Sequence, residues 1–242
     1  SQAVTGLVAD TTYYYRVRAT NDSAVSGCSS VVEVPTHVRH DVVAVAEGRG
    51  SIAPSGVVAV VAGTSREFAV QADEFHHIES VRSDGAAVPV TNVARMTVVW
   101  GPAAATGLVS AVFAETRTLQ DTPHWWLDAW YPGQTNFDEL AVSDEDHDGH
   151  LAWQEYVADT DPTDSGDGLR VVPDAEVAGA AVRFVSSTNR HYTLMSAPEL
   201  DEGTWSPVPG AGPRRGIGGL DSLADSNVPP RGWIYTIQVD LP

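Results

Sequence analysis

Between Asp144 and Glu155 the chain reads DEDHDGHLAWQE. Carboxylates stand at the first, third and fifth places of this run, on Asp144, Asp146 and Asp148. Gly149 follows at the sixth place, His150 at the seventh, Leu151 at the eighth and Glu155 at the twelfth. Alternating aspartates put several hard oxygen donors on one side of a tight loop. Gly149 permits the sharp turn that brings them together. A calcium ion takes about six to eight oxygens, so this spacing predicts a Ca2+ loop. In that reading His150 gives its backbone carbonyl and its imidazole stands aside. Ala152 has no ligand atom, so water fills its place. Glu155 closes the shell from the first turn of a helix, and Leu151 points inward.

Beyond the loop, DTDPTDSGDG supplies Asp159, Asp161, Asp164 and Asp167, without a second twelve-residue pattern. Asp161 either adds a ligand or caps a turn before Pro162; the spacing admits both. His76 and His77 are adjacent, and neighbours on a strand face opposite ways, so they read as ordinary strand positions. The sequence has no G-x-S-x-G elbow, H-E-x-x-H pair, phosphate-binding Gly-Lys loop or Cys/His pair, and no enzymatic activity is expected.

Net charge is −18, from 14 basic and 32 acidic residues. All the basic residues are Arg, so Lys–Asn isopeptide crosslinks cannot form within the chain. Such a chain repels nucleic acid and anionic membranes. No apolar run approaches the ~18 residues of a membrane span, and membrane insertion is not expected. The single Cys28 allows no internal disulfide and reads as a small hydrophobe. Residues 121–168 hold 13 Asp and Glu and no Arg, together with four of the seven Trp. Disordered acidic tails are poor in aromatics, so this concentration predicts a folded acidic module. The chain opens on Ser1 with neither an initiator Met nor a signal peptide, which suits a processed product or a fragment.

The elements that must position the loop are mostly strands. Residues 1–38 alternate with period two in TTYYYRVRAT, with Tyr13, Tyr15 and Val17 on one face, and read as two strands. Residues 39–117 carry the strand-like runs DVVAVAEG, GVVAVVAG, REFAVQA and MTVVWG, split by glycine turns such as Asp84-Gly85. Residues 118–168 read as three short helices. The first is capped by Asp121 or Thr122 with Pro123 at its first position, and Trp126 and Trp130 share a face. Asn136 caps the second, and LAWQEYVAD forms the third after the acidic loop. A module of ~50 residues buries little surface and needs a staple, which a bound ion would supply. Residues 169–242 return to strands, with AAVRFVSSTNRHYTLMSA read as a hairpin, Arg214-Arg215 as a solvated loop tip, and RGWIYTIQVDLP as a closing strand. The fold class predicted is mainly β: tandem small β modules with one small α-helical calcium module.

Four resemblances attach to these stretches. Leu7, Thr11, Tyr13, Val17, Ala19 and Asn21 are spaced as at the end of a fibronectin type III domain, with Tyr13 as the tyrosine-corner residue. Only the last two strands of that sandwich are covered. GSIAPSG, AGTS, F-x-V and TGLVSAVFAE follow one another as in the B-type repeat of internalin-like bacterial surface proteins. The loop with WQEYVADTDPTD resembles bacterial thrombospondin type 3-like and dockerin-like EF-hand calcium motifs, which are structural. R-F-x-S-x-x-x-x-R-x-Y-x-L, L-x-x-G-x-W and the final Y-x-I-x-V-x-LP resemble a small β-sandwich at the C-terminus of large secreted bacterial proteins.

These resemblances imply a secreted or cell-surface location and a non-catalytic, calcium-stabilised spacer or attachment region. Partners would be calcium and other domains or copies of the same protein. One alternative is a structural subunit of an extracellular fibre or adhesin, in which strands of another chain complete residues 1–38. A weaker one is a carbohydrate-binding module that holds glycan on Trp125, Trp205 or Trp233.

Overall fold

The computed structural model describes residues 3–174, 180–199, 205–227 and 233–242. The chain is mainly β, with three short helices among the described residues, and divides into two compact units, Ser1–Thr116 and Arg117–Pro242.

The first unit opens with β1 (Thr12–Tyr15) and β2 (Val32–Pro35), an antiparallel pair that forms a sheet of its own. The expected period is there, with Tyr13 and Tyr15 less exposed than Thr12 and Tyr14. The Tyr13 hydroxyl accepts a hydrogen bond from the Val8 N–H at 2.8 Å, so the side chain reaches five residues back and fixes the entry to β1. Neither face is buried: Tyr14 is 66% and Val17 73% exposed.

The rest of this unit is β3 (Arg39–Glu47), β4 (Gly50–Ala53), β5 (Gly56–Val61), β6 (Arg66–Ala72), β7 (His76–Ser83), β8 (Ala86–Val88), β9 (Arg95–Trp100) and β10 (Gly107–Glu115). Their Val-rich alternation suits a pleated, half-buried surface. One sheet has the order β5-β3-β10-β7-β8 and the other β4-β6-β9. Only β10 and β3 run parallel among these described pairings. Both sheets contribute to one core, Val42, Val109 and Phe113 from the first and Ile52, Phe68 and Val98 from the second. Asp84, in the left-handed conformation at the β7–β8 turn, ties the two together. Its carboxylate accepts from Trp100 Nε1 and from the Leu108 N–H, each at 2.8 Å. Gly107 is small for the same reason, since a Cβ there would run into the Trp100 ring.

In the second unit α1 (His124–Trp130), α2 (Phe137–Ala141) and α3 (Ala152–Ala158) precede β11 (Val172–Pro173), β12 (Ala180–Ser186), β13 (His191–Ala197), β14 (Ser206–Pro207), β15 (Arg214–Arg215), β16 (Gly219–Asp225) and β17 (Ile234–Asp240). Pro123 stands at the N-cap of α1, one place earlier than expected, and no side chain of Asp121 or Thr122 caps it. Trp126 packs on Trp130 and on Tyr156 of α3, with ring centroids 6.2 and 5.4 Å apart. The indoles thus help to build the helical core.

The expected hairpin of β12 and β13 is an arch instead. β12 pairs with β11 and β16, while β13 pairs with β14, β15 and β17. The physical reason lies in the link between them. Phe184 and Tyr192 face each other at 5.0 Å, and Arg190 leaves the strands to reach α3, so the chain turns across the core rather than along a sheet edge. Nor is Arg214 a solvated tip. It makes a bidentate ion pair with buried Asp221, and its guanidinium also donates to the Ser222 carbonyl at 3.0 Å. Leu200 to Thr204, and Arg231 and Gly232 at the head of the closing strand, lie outside the described residues.

Candidate metal centre

The segment from Ser143 to Glu155 folds as a closed turn between α2 and α3. The Ala152 N–H donates to the Ser143 carbonyl at 3.0 Å and seals its neck. Inside, backbone N–H groups organise the carboxylates. Gly149 donates to Asp144 Oδ2, Asp148 to Asp146 Oδ1, and His150 to Asp148 Oδ1, at 3.1, 3.1 and 2.8 Å. His147 and Gly149 both take positive φ, 63° and 96°, and this double kink turns the three aspartates inward.

One carboxylate oxygen from each of Asp144, Asp146 and Asp148 lies within 4.8 Å of the other two, a group able to hold a metal ion. Asp144 Oδ1 and Asp146 Oδ2 are buried without a hydrogen-bond donor. A buried carboxylate oxygen with no donor is costly, and here two lie beside a third carboxylate. A cation resolves both the desolvation and the mutual repulsion. An all-oxygen carboxylate set suits a hard cation over a soft one.

Glu155, on the first turn of α3, is 2% exposed. It is not one of the three clustered residues. Burial, and then the charges of Asp146 and Asp148, push its carboxyl up to about 7. The same crowding reaches Tyr131, whose phenol is raised first by burial and then by Glu155, Glu145, Asp146 and Asp161. Tyr131 donates its hydroxyl to the Pro162 carbonyl at 3.1 Å, holding the following turn in place.

His150 is not a bystander. Its Nδ1 lies 3.0 Å from both oxygens of Asp148. Burial alone would raise the Asp148 carboxyl, but the hydrogen bonds from His150 and the charges of His150 and Arg170 hold it below the usual carboxylate range. Leu151 is half-buried, and Gln154 Oε1 accepts from its N–H at 2.8 Å. Asp161 takes the turn-capping role in this structure. Its Oδ1 accepts from the Thr163 N–H and hydroxyl at 2.9 and 2.7 Å.

One residue was missed in the sequence. Gly168, thirteen residues past Glu155, lies against the loop, and a Cβ there would strike Asp148 Oδ2 and crowd the His150 ring. Its place at the end of an acidic, Gly-rich run is a weak signal that only the folded turn makes specific. Gly168→Ala is expected to push Asp148 out of the cluster and weaken Ca2+ binding by about tenfold, on the order of 1.4 kcal/mol. The metal-free melting midpoint should barely move, since the displaced group is a side-chain end. Calcium titration alongside thermal melting checks this, and an unchanged affinity would show that the contact is relieved without cost.

Among the described residues no helix is long and apolar enough to cross a membrane. No family model, no curated protein and no solved structure matches the chain.

Proposed function

We propose that this chain is a calcium-stapled, non-catalytic β region of a larger secreted or surface bacterial protein, acting as spacer or attachment segment. The observation that carries the reading is the pair of buried, donor-less oxygens on Asp144 and Asp146 beside Asp148. Calcium is the cation that suits them: three carboxylates, a backbone carbonyl at His150, water at Ala152 and a carboxylate from Glu155 make a flexible oxygen shell. Asp144, Asp146 and Asp148 would hold the ion and Glu155 would close on it. Asp161, already engaged by Thr163, would stay outside.

The role is structural. The three helices have 7, 5 and 7 residues, too short to stand alone, and their core is small. A bound ion adds its binding free energy to folding. The remainder is sandwich-like β structure of the kind that serves as spacer, and the Tyr13-to-Val8 hydrogen bond supports the reading of residues 1–38 as the end of a fibronectin type III-like sandwich.

Calorimetric titration of the full chain with Ca2+ tests the reading. Saturation is expected at ~10⁻⁴–10⁻³ M, the range of extracellular modules. Heats no different from dilution would overturn it.

A further inference from the structure

We infer that Arg190 couples the cation loop to the C-terminal sheets, so that helix α3 and strand β13 open as one cooperative unit and calcium protects both. Arg190 sits on the link between β12 and β13, thirty-five residues after the last residue of the loop, and its side chain is 8% exposed. It donates through Nε to the Val157 carbonyl at 2.8 Å and through Nη2 to the Tyr156 carbonyl at 2.5 Å. These are carbonyls of the last turn of α3, where intrahelical donors run out. The guanidinium also lies 5.6 Å from the centre of the Tyr156 ring and 3.3 Å from Asp159 Oδ1.

Asp159 completes the joint from the other side. It is the C-cap of α3, in the left-handed conformation at φ 64°. Its Oδ2 accepts from the Ser187 hydroxyl and, at 3.1 Å, from Asn189 Nδ2. Three positions at the helix terminus, Tyr156, Val157 and Asp159, are therefore held by three residues of the β12–β13 link, Ser187, Asn189 and Arg190. Loss of Arg190 would strand the two carbonyls and remove the ion pair at Asp159 Oδ1, leaving Asp159 only its bonds from Ser187 and Asn189.

The other end of the same helix belongs to the loop. Glu155 lies in its first turn, and the Ala152 N–H closes the loop on Ser143. A helix of seven residues is marginal alone. A cation orders its start and Arg190 orders its end, so both act on one marginal element. That shared element is the physical basis for coupling. The calcium half of this inference rests on the loop being a calcium site, whereas the contacts of Arg190 do not.

Amide hydrogen exchange of the full chain, read segment by segment, tests it. Without metal, α3 and β13 of the wild type should exchange with the same opening free energy. In Arg190→Met, which keeps the apolar stem, α3 should exchange at least about tenfold faster while β13 changes far less. Arg190→Lys keeps charge and reach but loses the fork, and should fall between, which keeps the test open if the Met variant unfolds. With Ca2+, protection should rise in both segments of the wild type and in α3 alone of the variants. Different opening free energies in the metal-free wild type would overturn the inference, as would calcium protection of β13 that survives both substitutions. If calcium protects neither wild-type segment, the calcium reading fails instead, and the metal-free comparison alone decides the role of Arg190.

Discussion

Chelating calcium from the full chain is expected to lower the melting midpoint of the Arg117–Pro242 unit by on the order of 10 °C. With Kd near 10⁻⁴ M, about 10 mM Ca2+ stands at ~100 times Kd and contributes ~2.7 kcal/mol. For a unit of this size each kcal/mol moves the midpoint by about 3–5 °C. The metal-free chain must keep Asp144, Asp146 and Asp148 together with Glu155 beside them, and the charges of His150 and Arg170 relieve Asp148 alone in part. The pH dependence has a definite sign. The Glu155 carboxyl is raised from 4.5 to about 7 in the folded chain. Its contribution to stability is therefore complete below about 4.5 and lost as pH rises through about 7. In chelator the unit should thus melt lower at pH 8 than at pH 5, and calcium should raise the midpoint most at the higher pH. Circular dichroism melts with and without EDTA measure both effects. A midpoint indifferent to chelator at either pH would remove the staple.

Tyr192→Ala should cost about 3–5 kcal/mol, the range for emptying a buried aromatic site. Tyr192 is wholly buried, packs on Phe184 across the arch, and its hydroxyl accepts from the Ser187 N–H at 2.8 Å. Gly216 is glycine in part to make room for it, since a Cβ there would come 2.7 Å from Tyr192 Cε2. Truncation leaves a cavity, an orphaned N–H and a loosened link two residues from Arg190. The midpoint should fall by more than about 10 °C. Tyr192→Phe, which removes the hydroxyl alone, should cost about 1 kcal/mol. Equal midpoints for the Ala and Phe variants would show that the ring does not carry the packing.

Local features were legible in the residues, and long-range ones were not. Asp144, Asp146 and Asp148 meet because two-residue spacing in a tight turn leaves them no other arrangement. The strands of the first unit follow from period two, and REFAVQA is β6 residue for residue. Period two reports which face is buried and not which strand is the neighbour. That is why β12 and β13, adjacent and both apolar, read as a hairpin and fold as an arch. Arg190 and Gly168 have meaning only through residues 18 to 34 positions away. A residue that serves a loop through its carbonyl has a free side chain, and only the folded turn shows the His150 ring 3.0 Å from both oxygens of Asp148.

The claim that a cation staples this chain is tested most directly by equilibrium dialysis of the full chain against radioactive calcium. The double substitution Asp144→Asn and Asp146→Asn serves as control. It keeps the size of both side chains and removes the two charges whose oxygens have no donor. Wild type should bind one Ca2+ per chain with half-saturation at ~10⁻⁴–10⁻³ M, and the double variant should bind none in that range. Equal uptake by the two chains would contradict the account.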